Sequence, residues 1–129
     1  MSFFKNMFSS SDDNGSKESK INWIELTDLG QLNEISTLSS EKAVAIFKHS
    51  TRCSISRMAL KQFENEFDSS GKVTLYFLDL IANREVSNEI AHRFGITHQS
   101  PQLILIKDGK ATYHVSHSDI DAEELGKKV

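Results

Sequence analysis

The sequence predicts an α/β fold in which a mixed central β-sheet is flanked by helices on both faces. Short apolar runs of strand length alternate with segments whose apolar residues recur at helical spacing. A strand, a helix and a strand of this length imply a right-handed parallel crossover. The pair Asp108-Gly109, between two strand-like runs, predicts a tight hairpin and so adds an antiparallel pair. The expected order of elements is β-α-β-α-β-α-β-β-α.

The first half of the domain is predicted to supply two strands and two helices. Trp23–Leu26 is typical of a short strand, and the leucines and isoleucine between Leu29 and Leu38 recur at helical spacing. Ala43–Lys48 is a short apolar run, typical of a strand buried on both faces. From Cys53 to Phe67 the spacing predicts an amphipathic helix. The apolar side of that helix is predicted to comprise Ile55, Met58, Ala59, Phe63 and Phe67, and we interpret Met58, Phe63 and Phe67 as core rather than as a binding surface.

The second half of the domain is predicted to supply three strands and two helices. The predicted strands are Val73–Asp79, Gln102–Lys107 and Lys110–Val115. The helix that precedes the second of these strands should end at Gly95. Ser118 is predicted to cap the last helix, with Asp119 and Asp121 in the first turn of that helix.

Residues 1–20 are predicted to be a flexible segment in front of one domain of residues 21–129. Ser9–Lys20 contains no apolar residue, so this stretch has no surface to bury against its ordering entropy. The start of the chain lacks the continuous apolar run of a signal peptide. We interpret the Phe-rich start as a mobile terminus rather than as a turn that contacts a membrane or a partner.

Composition excludes several classes of function. The net charge of −3 and the pI near 5.9 argue against a nucleic-acid-binding protein, which needs a clustered positive surface. No segment is long enough to span a membrane, so we expect no stable membrane insertion. A single cysteine cannot form an internal disulfide, which argues against a disulfide-stapled secreted fold and favours the cytoplasm.

Cys53 is the only cysteine in the chain, and it stands where a predicted strand hands over to a predicted helix. The positive end of a helix dipole and the unpaired backbone N–H groups there both favour a thiolate. The thiolate is the form that attacks disulfides. Cys53 is therefore the best candidate for a nucleophile, and the alternative is a buried structural cysteine.

Ser56 occupies the second position of a C-x-x-C spacing that begins at Cys53. A second cysteine would resolve a mixed disulfide, and serine cannot do so. The logical substrate is therefore a mixed disulfide between a protein and a small thiol, from which Cys53 takes the small thiol. We predict that the hydroxyl and backbone N–H of Ser56 stabilise the thiolate, and an ordinary polar residue in a first helical turn is the alternative.

Two cationic side chains near Cys53 are further candidates for stabilising the thiolate. Arg52 precedes the cysteine, and its charge would favour the thiolate or attract the carboxylates of an anionic small thiol, unless it is simply solvated. His49 would act as a general acid or, as an imidazolium, favour the thiolate. The alternative for His49, which we favour, is that it ends its strand and faces water.

Two other chemistries are less consistent with the sequence. The chain lacks the second cysteine or compact ligand pair that would complete a zinc pattern, so no metal site is predicted. Ser50-Thr51-Arg52-Cys53 supplies the S-x-x-C element of peroxiredoxins. The proline that those enzymes carry four residues before this element is Ile46 here, so a thiol peroxidase is disfavoured.

Three stretches of the chain resemble a known family. They are Phe47–Ser56, Gly95–Gln102 and Ile106–Lys110. Together with the element order, a cysteine after the second strand and a proline before the penultimate one, they resemble the thioredoxin-like fold. More narrowly, the chain from about Ile21 onwards resembles the YtxJ family, the monothiol bacilliredoxins of the bacillithiol system. The family usually reads Thr-Cys-Pro-Ile-Ser at the active site. Here Arg52 replaces the threonine, and Ser54 replaces the proline and so frees a backbone N–H.

The resemblance implies a reaction and its participants. Cys53 would remove bacillithiol from S-bacillithiolated proteins, with bacillithiol as a low-molecular-weight co-substrate and no bound cofactor. The alternative is a non-catalytic thioredoxin-like binding module whose cysteine only packs.

The resemblance also implies a substrate groove around Cys53. Pro101 would have a cis peptide bond and face the cysteine, which turns the backbone of Ser100 outward to pair with an extended substrate segment. We predict that the same groove is lined by Thr51, Ser54, His98 and Gln99.

Overall fold

The computed structural model describes residues 21–68 and 71–129. These residues form one mixed sheet and four α-helices. The strands are β1 (Ile24–Glu25), β2 (Ala43–His49), β3 (Val73–Asp79), β4 (Gln102–Lys107) and β5 (Lys110–Ser116). The helices are α1 (Gly30–Leu38), α2 (Ser54–Glu66), α3 (Arg84–Phe94) and α4 (Ala122–Lys128), with a 3-10 turn at His117–Asp119. The predicted flexible segment, residues 1–20, lies outside the described residues.

The sheet has the strand order β1-β3-β2-β4-β5. β3 lies parallel to both β1 and β2, as the crossover rule predicts. β4 runs antiparallel to β2, and β5 runs antiparallel to β4. Gly109 allows the hairpin between β4 and β5 because its φ of +75° is one that glycine adopts without strain. The predicted α/β class and mixed sheet are therefore confirmed.

The core consists of two clusters, one on each face of the sheet. α2 and α4 cover one face, where Phe47 of β2 packs near Phe63 of α2. α1 and α3 cover the other face, where Ile46 of β2 belongs to the same cluster as Ile90 of α3. Every residue of β2 is buried, so this strand is covered on both faces, as its apolar run predicted.

The outer side of α2 differs from the prediction. Met58 is 71% exposed and Ile55 is 55% exposed, so the interpretation of Met58 as core was wrong. Ser56 and Phe63 are the fully buried residues of this helix. At about 100° per residue, Met58 lies about 140° around the helix from Phe63 and so projects away from the sheet.

The start of the last helix also differs from the prediction. Ser118 and Asp119 lie in the 3-10 turn, and Asp121 caps α4 by accepting hydrogen bonds from the backbone N–H of Glu123 (2.8 Å) and of Glu124 (3.2 Å). Buried Ile120 separates the turn from the helix. The buried side chain of Ile120 holds its backbone extended, so α4 begins after Ile120.

Within the described residues, no helix has the length and apolar character needed to cross a membrane.

Candidate active site

Cys53 lies at the carboxyl end of β2 and is the N-cap residue of α2. Its backbone is extended, its N–H donates to the Ser50 carbonyl (3.2 Å), and its own carbonyl accepts from the N–H of Arg57 (3.1 Å). The residue is half-buried. The cysteine is thus fixed by its backbone at the start of a 13-residue helix, where the dipole favours an anion.

The first turn of α2 offers backbone donors beside Cys53. Within residues 21–68 and 71–129, the N–H groups of Ser54, Ile55 and Ser56 have no hydrogen-bond acceptor. Such first-turn donors lack intrahelical partners in any α-helix. Ser54 adds one donor that a proline at this position would lack. This arrangement suits a thiolate at the N-cap.

The Ser56 side chain is directed to the strand side of the site. It is fully buried, accepts a hydrogen bond from the N–H of Ser50 (3.0 Å), and lies 2.8 Å from Nδ1 of His49. The hydroxyl therefore bridges the Ser50 N–H and the His49 ring. The structure places no hydrogen bond between this hydroxyl and Cys53 among the described residues. The predicted hydroxyl contact with the thiolate is therefore not formed in this state.

His49 is buried rather than facing water, which corrects the interpretation that we favoured. Only 4% of the residue is exposed, and its ring lies 5.4 Å from the ring of Phe77. Burial lowers the pKa of His49 below its usual value of 6.5, and nearby Arg57 lowers it further, while Asp79 opposes both. A neutral His49 near pH 7 is therefore favoured over an imidazolium.

We predict that Ser56→Ala lowers the free energy of unfolding by about 1–3 kcal/mol, because it leaves the Ser50 N–H and Nδ1 of His49 without a partner in a buried place. Urea denaturation at pH 7 measures the change. Ser54→Ala, on the exposed side of the same turn, is the matched control and should change stability by less than about 0.5 kcal/mol. Equal effects of the two variants would contradict this account of Ser56.

The loop between β2 and α2 carries the remaining predicted side chains. Thr51, Arg52 and Ser54 are all exposed, so each is accessible to a substrate. The Arg57 guanidinium donates to the Thr51 carbonyl (3.1 Å) and so ties this loop to α2. Arg57 was not singled out in the sequence, because its loop contact depends on the turn that precedes the helix.

The segment before β4 forms the second part of the site. The Ser100–Pro101 peptide bond is cis, as the resemblance implied. The Gln102 side chain donates to the Thr97 carbonyl (3.0 Å) and accepts from the N–H of Gln99 (3.4 Å). Gln102 also pairs with Lys48 in the sheet, which places this segment beside the carboxyl end of β2. The ladder thus brings the Pro101 segment next to the strand that leads to Cys53.

Lys48 is the functional candidate that the sequence analysis missed. It is fully buried, and its ammonium donates to the Ser87 carbonyl (3.1 Å) and contacts Nδ1 of His98 (3.2 Å). Burial lowers its pKa from 10.5 to about 8. The available signal was a lysine at the end of an apolar run that already predicted burial on both faces.

Within the described residues, no group of three or more histidine, cysteine, aspartate or glutamate side chains is arranged to hold a metal ion.

Comparisons with known proteins agree with this geometry. The family model for the monothiol bacilliredoxin BrxC matches residues 24–125. A proposed oxidoreductase with a thioredoxin fold is 29% identical, with a TM-score of 0.69 over 81% of this chain and 90% of that one. The thioredoxin of Malassezia sympodialis has 17% identity and a TM-score of 0.66 over 90% of this chain and 95% of its own. That of Trypanosoma brucei brucei also has 17% identity and a TM-score of 0.66, over 83% and 87%.

The two thioredoxins support the fold alone, whereas the family match covers most of the domain. It favours thiol–disulfide chemistry over the alternatives of a non-catalytic binding module and a peroxidase. The chain belongs to the monothiol bacilliredoxin family BrxC and is a thiol–disulfide oxidoreductase with a thioredoxin fold.

Proposed function

We propose that the protein removes bacillithiol from S-bacillithiolated proteins by monothiol–disulfide exchange at Cys53. The observation that carries this proposal is the pairing of a single, half-buried cysteine at a helix start with a fully buried serine three residues later. A site of this kind can accept a small thiol, but it has no second sulfur with which to expel that thiol. Bacillithiol acts as co-substrate, and no bound cofactor is required.

The reaction is one disulfide exchange. The Cys53 thiolate attacks the bacillithiol sulfur of the mixed disulfide, and a new bond forms between Cys53 and that sulfur. The original S–S bond breaks, and the client leaves as a thiolate that takes a proton from water. A second free thiol then attacks the adduct, which returns the Cys53 thiolate and carries bacillithiol away in a new disulfide.

Three features support this reaction. The N–H groups at the start of α2, which have no acceptor among the described residues, stabilise negative charge on Cys53 in both the attacking and the leaving state. Exposed Arg52 offers a cation for the carboxylates of an anionic small thiol. The backbone of Ser100, before the cis bond to Pro101, would pair with an extended client segment.

A single cysteine also suits the cytoplasm, where thiols stay reduced, and we place the activity there.

The test mixes reduced protein with a client peptide that carries bacillithiol in a mixed disulfide, and follows intact mass. We expect Cys53 to gain one bacillithiol while the peptide is released as a free thiol. Cys53→Ala should gain nothing. Retention of bacillithiol by the peptide, or transfer of the peptide itself to Cys53, would contradict the proposal. Peptides that carry glutathione or cysteine in place of bacillithiol show whether the site distinguishes among small thiols.

A further inference from the structure

The ammonium of Lys48 is buried, and it has no acidic partner in the part of the chain that the structure describes. Within residues 21–68 and 71–129, no carboxylate lies within salt-bridge distance of its Nζ atom. A buried, unpaired charge is unfavourable for folding, and an apolar side chain of similar volume is often neutral or better. The Ser87 carbonyl and Nδ1 of His98 are its only hydrogen-bond partners in the described part of the chain. Stability therefore does not explain this lysine, and its contact with His98 suggests a role at the site.

His98 connects this buried ammonium to the surface. His98 is exposed, yet its Nδ1 atom lies 3.2 Å from the Lys48 ammonium and 3.4 Å from the Ser87 hydroxyl. Because an ammonium has no lone pair, Nδ1 must be the acceptor, and the proton of a neutral ring must be on Nε2. Burial lowers the pKa of His98, and the positive charges of Lys48 on β2 and Arg84 on α3 lower it further.

The position of His98 relates it to the exchange site. His98 lies between Thr97 and Gln99, both of which are hydrogen-bonded by the buried Gln102 side chain. Gln102 is the ladder partner of Lys48, so Lys48 lies beside the start of β4, and His98 lies in the segment that leads into β4. The strand that carries Lys48 leads directly into the loop of Cys53. The histidine is thus held on the segment that also carries the cis bond to Pro101.

We propose that Lys48 is a positioning residue whose ammonium, bonded to Nδ1 of His98, keeps that imidazole neutral with its proton on Nε2, so that the exposed ring donates a hydrogen bond to an anionic group of the small thiol. This proposal rests on the proposed function for its ligand. The positive charges of Lys48 and Arg84 add a favourable potential for an anion at the same place. The role of Lys48 is indirect, since it touches His98 and not the ligand.

The first test reads the His98 tautomer in the full-length protein by long-range 1H–15N NMR at pH 7.5. We expect the proton on Nε2 in the wild type. Lys48→Met should mix the two tautomers and raise the pKa of His98, because it removes both the donor at Nδ1 and one of the charges that disfavour protonation. Lys72→Met, an exposed lysine at the opposite end of the sheet, should leave both readings unchanged. A wild-type proton on Nδ1, or an unaltered His98 in Lys48→Met, would overturn the proposal.

The second test compares exchange rates with two mixed disulfides of one client peptide, one carrying bacillithiol and the other uncharged 2-mercaptoethanol. His98→Ala and Lys48→Met should each slow exchange with the anionic probe by about tenfold, the typical effect of losing one hydrogen bond to a charged group. The double variant should be no slower than His98→Ala, and His98→Gln, which keeps an N–H donor, should recover part of the rate. His114→Ala, on the outer strand, is the control.

Equal losses with both probes would show that the pair does not recognise the anionic group, and would overturn the proposal. A wild type that is inactive with both probes would instead overturn the proposed function and the ligand role of His98 with it. The NMR measurement would then still decide whether Lys48 sets the tautomer, so the two failures are distinguishable.

Discussion

Phe63→Ala is expected to lower the free energy of unfolding by about 3–5 kcal/mol, the range found when a fully buried phenylalanine is truncated. Phe63 is 1% exposed and lies at the centre of an aromatic cluster. Its ring centroid is 5.6 Å from that of Phe47, 5.5 Å from that of Phe67 and 5.9 Å from that of Trp23. The substitution removes contacts with all three rings and leaves a cavity between α2 and the sheet. Urea denaturation gives the magnitude.

Met58→Ala on the same helix is the matched control. Met58 projects away from the sheet and is 71% exposed, so its truncation should change stability by less than about 0.5 kcal/mol. A large loss in Met58→Ala, or a small one in Phe63→Ala, would contradict the placement of the apolar side of α2. Since Cys53 is the N-cap of this helix, Phe63→Ala should also slow the exchange reaction through a less rigid helix start.

Lys48→Met is expected to raise the free energy of unfolding at pH 7, by as much as about 3 kcal/mol. The magnitude follows from the pKa of Lys48, which burial lowers from 10.5 to about 8 in the folded protein. The charged lysine disfavours the folded state by the free energy equivalent to that shift. Methionine fills a similar volume without charge. The two lost hydrogen bonds offset part of this gain.

The pH dependence of this difference has a definite sign. Below about pH 8 the lysine is protonated in both states, and its penalty on folding is fully present. Between about pH 8 and 10.5 the unfolded chain binds more protons than the folded one, so the wild type gains stability relative to Lys48→Met. The stability difference between the two proteins should therefore shrink over this range. Lys72→Met should show no such trend, and a difference that stays constant from pH 7 to 10.5 would contradict the buried ammonium.

The fold was largely predictable because each strand and helix has a local signal. Local signals of a few residues predicted three features that the structure contains. They are the buried strand β2, the hairpin at Gly109 and the end of α3 at Gly95. The side of α2 that faces the sheet was less predictable. Its apolar spacing includes Ile55 and Met58, and only the packing of the helix shows that they face outward. The cap of α4 was missed because burial of Ile120, a tertiary effect, delays the helix.

The residues of the site also differ in how well the sequence predicts their positions. A cysteine at the start of a helix is a local feature, and the structure has Cys53 at the start of α2, as predicted. Lys48 and His49 are the two polar residues at the end of β2, before the loop of Cys53. Their roles depend on which residues cover that end of the strand. The neighbourhood of α2 buries His49, and α3 with the His98 segment buries Lys48. The apolar run of β2 indicated that its end is buried, but the partners of these two side chains come from distant parts of the chain.

The buried hydroxyl of Ser56 has a consequence for protein engineering. Substitution of Ser56 by cysteine is not sufficient to produce a dithiol enzyme. The side chain at this position forms hydrogen bonds with both the Ser50 N–H and the His49 ring. A thiol is a weak hydrogen-bonding group and would leave both partners poorly satisfied. The monothiol character is therefore built into the loop framework as well as into the choice of residue. Conversion to a two-cysteine catalyst would require redesign of His49 and the Ser50 turn together with Ser56.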